Sequence, residues 1–246
     1  MFSFYQINSI AYYETKTLLR SWFFRIFALI AIVVLLFFNI VTLIKWGGGA
    51  GIWSIKAIPS IIPYVNLMLL NVVQAVIAIF LASDFLKRDK KLDTTDVIYV
   101  RPMTNREYVF GKTLGNLLVF FILDIIVLAM TMVFNMVIKN IEINFISYLY
   151  YFLIISIPTL IFIMGFSFLL MSLIKNQAVT FLVLLIYIAV SLFYLGDKFY
   201  HLFDYIAYRI PLTFSDFVGF GNLKEILVLR GMYISLGISF IFFTIV

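Results

Sequence analysis

The sequence predicts an all-α polytopic membrane protein with six transmembrane helices, and three observations predict it. Of its 246 residues, 64% are hydrophobic and only 12% charged, against roughly 45 to 50% and about 25% in soluble domains. Several apolar runs reach the roughly 20 residues that a helix needs to cross a bilayer core. These runs, Ile26–Phe38 among them, have none of the alternating polarity that marks the strands of a membrane barrel. A soluble fold of this length could not hide so much apolar surface, which excludes soluble enzymes and nucleic-acid-binding domains.

The spans are expected at Phe23–Ile44, Ile61–Ala82, Leu114–Ile138, Leu149–Leu173, Ala178–Leu195 and Met232–Val246. Trp22 and Trp46 bracket the first of them, separated by about 36 Å of helix, and fit two interfacial belts, with Trp53 at the outer one. The sixth span so read rises only about 22 Å, less than the bilayer core, and no polar residues follow it. That implies a chain cut at Val246 or continuing past it. The N-terminus has no small-residue cleavage site and its first apolar run is too long for a signal peptide, so it is read as retained.

Lysine and arginine placement sets the orientation. With the N-terminus inside, eleven lie inside, seven of them in Ser83–Thr113, and seven lie outside: Lys45, Lys56, Lys139, Lys198, Arg209, Lys224 and Arg230. The whole chain, 1–246, reads as one transmembrane domain. Residues 1–22 form an N-terminal helix, 83–113 a charged inner connector and 196–231 an outer loop with short helices.

In the N-terminal helix, Phe4, Ile7, Ala11, Leu18 and Trp22 share one face, and Gln6, Ser9, Tyr13, Lys16, Thr17 and Arg20 the other. This pattern suits a helix lying in the membrane plane or one docked on other protein segments, with Glu14 interrupting the apolar stripe. The inner connector carries more structure than a linker. The second span continues past the membrane as a polar helix, Asp93 or Thr94 can cap a short helix reaching Tyr99, and Pro102 ends it. Thr104 and Glu107 then form a capping box that opens the next helix. In the outer loop, Phe199, Phe203 and Ile206 recur at helical spacing and Asn222 with Glu225 repeats the capping box. Its irregular parts must be buried in protein or wet.

There are no cysteines and one histidine, His201, so thiolate and multi-histidine metal sites are excluded. No phosphate-binding lysine loop, zinc-protease motif or nucleophile elbow occurs, and the chain has no engine of its own. Gly111 and Gly115 form a GxxxG that lets a neighbouring helix approach closely, with Lys112 read as a snorkelling anchor. Asp124 lies inside the third span, where a carboxylate is expensive. Without a Lys, Arg, His or second carboxylate read inside any other span, it is either a protonated or hydrogen-bonded structural residue or part of a path. Asn66, Asn71 and Gln74 fall within one arc of the second span and either line a polar path or bond between helices.

The order of these features, and above all "LASDFLKRDKKLDTTDVIYVRPMTNREYVFGKTLGN", resembles the membrane permease subunit of type-2 ABC exporters. The layout covers the whole chain and the specific wording about 35 residues of it. The resemblance implies an interfacial elbow helix and a coupling helix at about Leu92–Tyr99 that docks on a separate ABC ATPase subunit. It implies contacts through Asp93, Thr94, Asp96, Tyr99 and Arg101, outer helices between spans five and six, and pairing with a second permease subunit, identical or different. ATP and Mg would sit on the partner, with no cofactor and no catalysis on this chain. The expected site is a bacterial-type plasma (inner) membrane with the N-terminus cytoplasmic, among membrane lipids and without nucleic acid. Two other readings stand beside it. One is a non-transporting membrane scaffold that binds a cytoplasmic partner through the same connector. The other is a membrane-embedded enzyme acting on lipid, against which the missing Cys, the lone His201 and the isolated Asp124 argue.

Overall fold

The computed structural model describes residues 3–43, 61–91, 104–137, 143–199, 203–207, 214–215, 219–220 and 223–245. The elements are α1 (Phe4–Arg20), α2 (Trp22–Leu43), α3 (Ile61–Lys91), α4 (Asn105–Val137), α5 (Phe145–Tyr151), α6 (Ile157–Ile174), α7 (Gln177–Val190), α8 (Gly196–Lys198) and α9 (Leu223–Ile245). A π-helical turn, Phe152–Ser156, joins α5 to α6 without a break, and a second one, Ser191–Leu195, joins α7 to α8. A two-residue antiparallel ladder pairs Phe214 with Phe220 and Ser215 with Gly219. Among the described residues six helical stretches are long and apolar enough to cross a membrane: Trp22–Val41, Ile61–Leu81, Arg106–Val137, Phe145–Ile174, Gln177–Leu195 and Leu223–Thr244.

Two corrections concern span ends. The fourth apolar helix begins at Phe145 rather than Leu149, where Asn144 caps it by accepting from Ile146 N at 3.1 Å. The sixth begins at Leu223, not Met232, so it is 23 residues long and at about 34 Å suffices to cross. Its first two turns carry Lys224, Glu225 and Arg230, charges that hide a helix start from any search for an unbroken apolar run.

The core is built on α3 and the α5–α6 helix, each of which buries most of its apolar window. α3 packs on α2, α4, α6 and α7. It runs antiparallel to α2, since Phe23 stacks on Phe80 while Asn39 meets Asn66. Aromatic rings of α6, α7 and α9 fill the centre, with Phe162 in edge contact with Tyr233 at 5.1 Å between centroids and Phe166 with Tyr187 at the same separation.

Two glycine contacts fix the helix spacing. α6 and α9 run parallel and touch backbone to backbone. A Cβ on Gly237 would lie 2.6 Å from Ile161 O, and one on Gly165 would collide with the Gly237 carbonyl. α1 and α4 also run parallel, through the expected GxxxG. A Cβ on Gly111 would stand 2.7 Å from Ile10 Cβ, and one on Gly115 2.6 Å from Glu14 Cβ. Small residues at such crossings let backbones approach where lipid supplies no hydrophobic drive.

The α1 face that packs on α4 is Ile7, Ala11, Glu14 and Leu18, all buried. Of the five residues expected on the apolar stripe, Phe4 and Trp22 remain exposed. The expected capping box at the start of α4 is present. Thr104 N donates to Glu107 Oε2 at 2.9 Å and Glu107 N to Thr104 Oγ1 at 3.3 Å. Glu107 Oε1 also accepts from Ser3 N at 2.7 Å, which ties the start of α1 to the start of α4.

Replacing Gly165 with Leu forces backbone apart at the α6–α9 crossing, and overpacking of this kind costs about 3 kcal/mol. Gly231→Leu should be neutral, because a Cβ there meets nothing within 4 Å. Unfolding in lipid nanodiscs, followed by helical signal against denaturant, checks both.

Candidate functional site

Three groups of buried polar side chains bear on the candidate site. The first is a closed amide pair. Asn39 Nδ2 donates to Asn66 Oδ1 at 2.8 Å and Asn66 Nδ2 to Asn39 Oδ1 at 2.9 Å, while each amide also donates to the carbonyl four residues back on its own helix, Leu35 O and Ile62 O. Asn66 is therefore a bridge between α2 and α3.

The second group is open. Gln74 Nε2 donates to Asp124 Oδ1 at 2.8 Å, and Ser156, on the π turn, stands beside the same carboxyl. Asp124, Gln74, Asn71 and Ser156 are all fully buried. Yet Asp124 Oδ2, Gln74 Oε1, Ser156 Oγ and both amide atoms of Asn71 have no hydrogen-bond partner among the described residues. Polar atoms buried without partners are uncommon and call for a physical account. Along α3, Asn66 and Gln74 are about 12 Å apart. The candidate pathway residues thus separate into a satisfied layer at Asn66 and an unsatisfied one at Gln74 and Asp124.

The third group centres on Arg230, which the sequence analysis counted as an outer-loop cation. It is a buried residue of α9, 1% exposed, and it overturns the expectation that no basic side chain lies inside another span. Nε donates to Ile154 O at 2.7 Å, Nη2 to Ile155 O at 2.8 Å and Thr159 Oγ1 at 2.7 Å, and Nη1 to Tyr205 O at 2.8 Å. The Tyr233 ring lies 5.4 Å from the guanidinium carbon, in cation–π range.

Local sequence explains this arrangement. Pro158 has no N–H, so Ile154 O, four residues earlier, lacks its helical donor. The π turn, in which Ile157 N reaches back to Phe152 O, displaces the neighbouring carbonyls further. Arg230 supplies the missing donors with a planar fork that no other side chain matches. The segment 204–207 is buried here too. Thr159 Oγ1 reaches Tyr205 O at 2.6 Å, and Tyr64 OH donates to Ala207 O at 2.9 Å. Ala207 takes φ 64° as it closes the turn with Ala207 N on Asp204 O. The expected run of helix through Phe199, Phe203 and Ile206 gives way at Asp204 to this turn, and its irregular backbone is buried in protein, as hydrocarbon requires.

At the α1–α4 corner Lys112 Nζ lies 3.2 Å from Glu14 Oε2, both side chains 7% exposed. Lys112 is an ion-pair partner as well as a cation over the Tyr108 ring at 5.4 Å, a correction to the snorkelling reading. Glu14, the break in the apolar stripe of α1, is its counter-charge.

The expected partner contacts Asp93, Thr94, Asp96, Tyr99 and Arg101, and the coupling helix Leu92–Tyr99, lie outside the described residues. Sequence reasoning missed Asn39, Ser156, Thr159 and Arg230. A signal for Arg230 was available: Ile226, Arg230, Tyr233, Gly237 and Ile241 follow helical spacing and are all buried. Among the described residues no three His, Cys, Asp or Glu side chains group as metal ligands. No protein-family model matches the chain, and no curated protein matches it.

Arg230→Met strands Ile154 O and leaves Ile155 O and Tyr205 O to share the single Thr159 hydroxyl proton, and at about 1–3 kcal/mol for each unmet acceptor it should cost several kcal/mol and speed hydrogen exchange at 203–207. Arg230→Lys should recover little of that, because an ammonium lacks the fork. Asn39→Leu or Asn66→Leu alone should cost about 1 kcal/mol, and the double substitution less than the sum, since removing both amides leaves neither facing an apolar replacement. A double-mutant cycle of unfolding free energies measures it.

Proposed function

We propose that the chain is the membrane permease subunit of an ATP-driven type-2 ABC exporter. It would form the substrate path in a bacterial-type inner membrane with its N-terminus cytoplasmic. A partner ABC ATPase subunit binds ATP and Mg and does the phosphate chemistry, and a second permease subunit completes the path.

The observation that carries this reading is the overrun of two adjoining antiparallel helices. α3 has 31 residues and α4 has 33, about 46 and 50 Å against a bilayer core of roughly 30 Å. They overrun at the end where the charged segment 92–103 joins them. A stiff helical pair that carries a charged connector clear of the membrane is what a lever needs, because a push at its tip is transmitted along the helices into the bundle. α1 is fastened to that same end of α4 by Ser3–Glu107 and Glu14–Lys112, which suits an elbow that moves with the lever. In the two-state mechanism so proposed, closure of the ATPase dimer displaces the connector, and the packed helices rock as rigid bodies between two arrangements.

The test is a photo-crosslinker at Tyr99 in native membranes, with mass spectrometry of the captured protein. Capture of a P-loop ATPase is expected. Capture of a non-ATPase protein alone, or of nothing, would return the scaffold reading to first place. Tyr99→Ala combined with Arg101→Glu should abolish co-purification of that ATPase while membrane insertion is unchanged.

A further inference from the structure

We propose that Asp124, with Gln74 and Ser156, forms a proton-binding site in the interior of the bundle, the carboxyl holding its proton on Oδ2 in the conformation seen here. The inference does not depend on the transport reading.

Three observations carry it. Asp124 is 0% exposed, and one amide N–H, Gln74 Nε2 at 2.8 Å, is the donor bonded to its carboxyl. A carboxylate removed from water needs a counter-charge or several donors. No charged side chain among the described residues supplies one. α3 presents Gln74, the π turn presents Ser156, and α2 contributes Ala31 and Leu35 to the apolar layer shared with Leu123 and Val127 of α4. Arg230 is committed to backbone carbonyls and Thr159.

The unpartnered atoms also match an added proton. Asp124 Oδ2, Gln74 Oε1 and Ser156 Oγ are three buried oxygens without a bond among the described residues. A proton on Oδ2 turns an acceptor into a donor, and the Ser156 hydroxyl beside the carboxyl can accept from the acid as well as donate to it. A divalent cation is a poor fit, since it takes about six or more oxygen ligands and the site has a single carboxylate. A proton needs no cavity. Bundle motion that wetted this layer would remove the penalty on the charged form and let the proton leave, so the loaded site belongs to the dry, closed arrangement.

Infrared difference spectroscopy on the full chain in lipid nanodiscs tests the site, with Asp124→Asn as reference and helical signal as the folding control. At neutral pH the wild type should show one carboxylic-acid C=O stretch that the Asn variant lacks. Ser156→Ala and Gln74→Leu should keep that band but shift its frequency, as each removes a hydrogen-bond partner. Raising the pH until the band disappears should lower the protection of the amides around Asp124, after correction for the intrinsic rise of exchange with pH, in the wild type and not in Asp124→Asn. Absence of the band in the wild type, or its persistence in Asp124→Asn, would overturn the proposal. So would a band that disappears when Na⁺ is added at fixed pH, which would make the site a cation site. Should Asp124→Asn fail to fold, the frequency shifts in the Ser156 and Gln74 variants decide, and an unmoved band in both would overturn it.

Discussion

Most of the tertiary structure at one end of this bundle depends on the five N–H groups of Arg230. A bilayer offers no water to backbone carbonyls, so a proline inside a span and a loop folded among spans each create acceptors that protein must satisfy. Pro158 and the segment 203–207 do both in one place. One guanidinium answers them together, linking α9 to the α5–α6 helix and to the loop. Tyr64 extends the link to α3 through Ala207 O. The close parallel contact of α6 with α9 at Gly165 and Gly237 holds the guanidinium against the carbonyls of the neighbouring helix.

Polar groups inside the bundle thus do two kinds of physical work. Where every donor has an acceptor, as in the Asn39–Asn66 pair, the bonds set the register of two helices and leave little that a ligand could use. Where acceptors outnumber donors, as at Gln74, Asp124 and Ser156, the bonds do not close on themselves, and a proton on the carboxyl is the smallest addition that supplies a donor. Burial alone does not separate these cases, since Asn66 and Asp124 are equally inaccessible; the count of bonds does.

The six spans were legible because membrane helices advertise themselves by composition, and the Thr104–Glu107 capping box because it is local, three residues wide. Pairings across long stretches of sequence were not. Glu14 looked like a flaw in an amphipathic stripe and Lys112 like an anchor, and each was explained by the other only once Gly111 and Gly115 had brought α1 against α4. Arg230 was assigned to a loop because charged residues near a span end shorten the apolar run by which spans are found. Its helical spacing with Ile226, Tyr233 and Ile241 was in the sequence, but a buried arginine becomes credible only when its acceptors are known, and those come from residues 154, 155 and 205.

The two ends of the α3–α4 pair differ in what they can do. At one end the helices overrun the apolar thickness and lead into the charged stretch 92–103 of the sequence. Nearer the middle they meet at Gln74 and Asp124 in a dry layer, where a separation of the helices would break the amide–carboxyl bond and admit water to a carboxyl. On the proposed reading, a rigid pair coupled in this way would convert a mechanical push at the connector into a change of hydration at the carboxyl. The reverse also holds by linkage: whatever stabilises the neutral, dry carboxyl stabilises the closed arrangement of the helices. On the proposed reading, the lever that a partner ATPase would move and the site that would bind a proton are then two ends of one element.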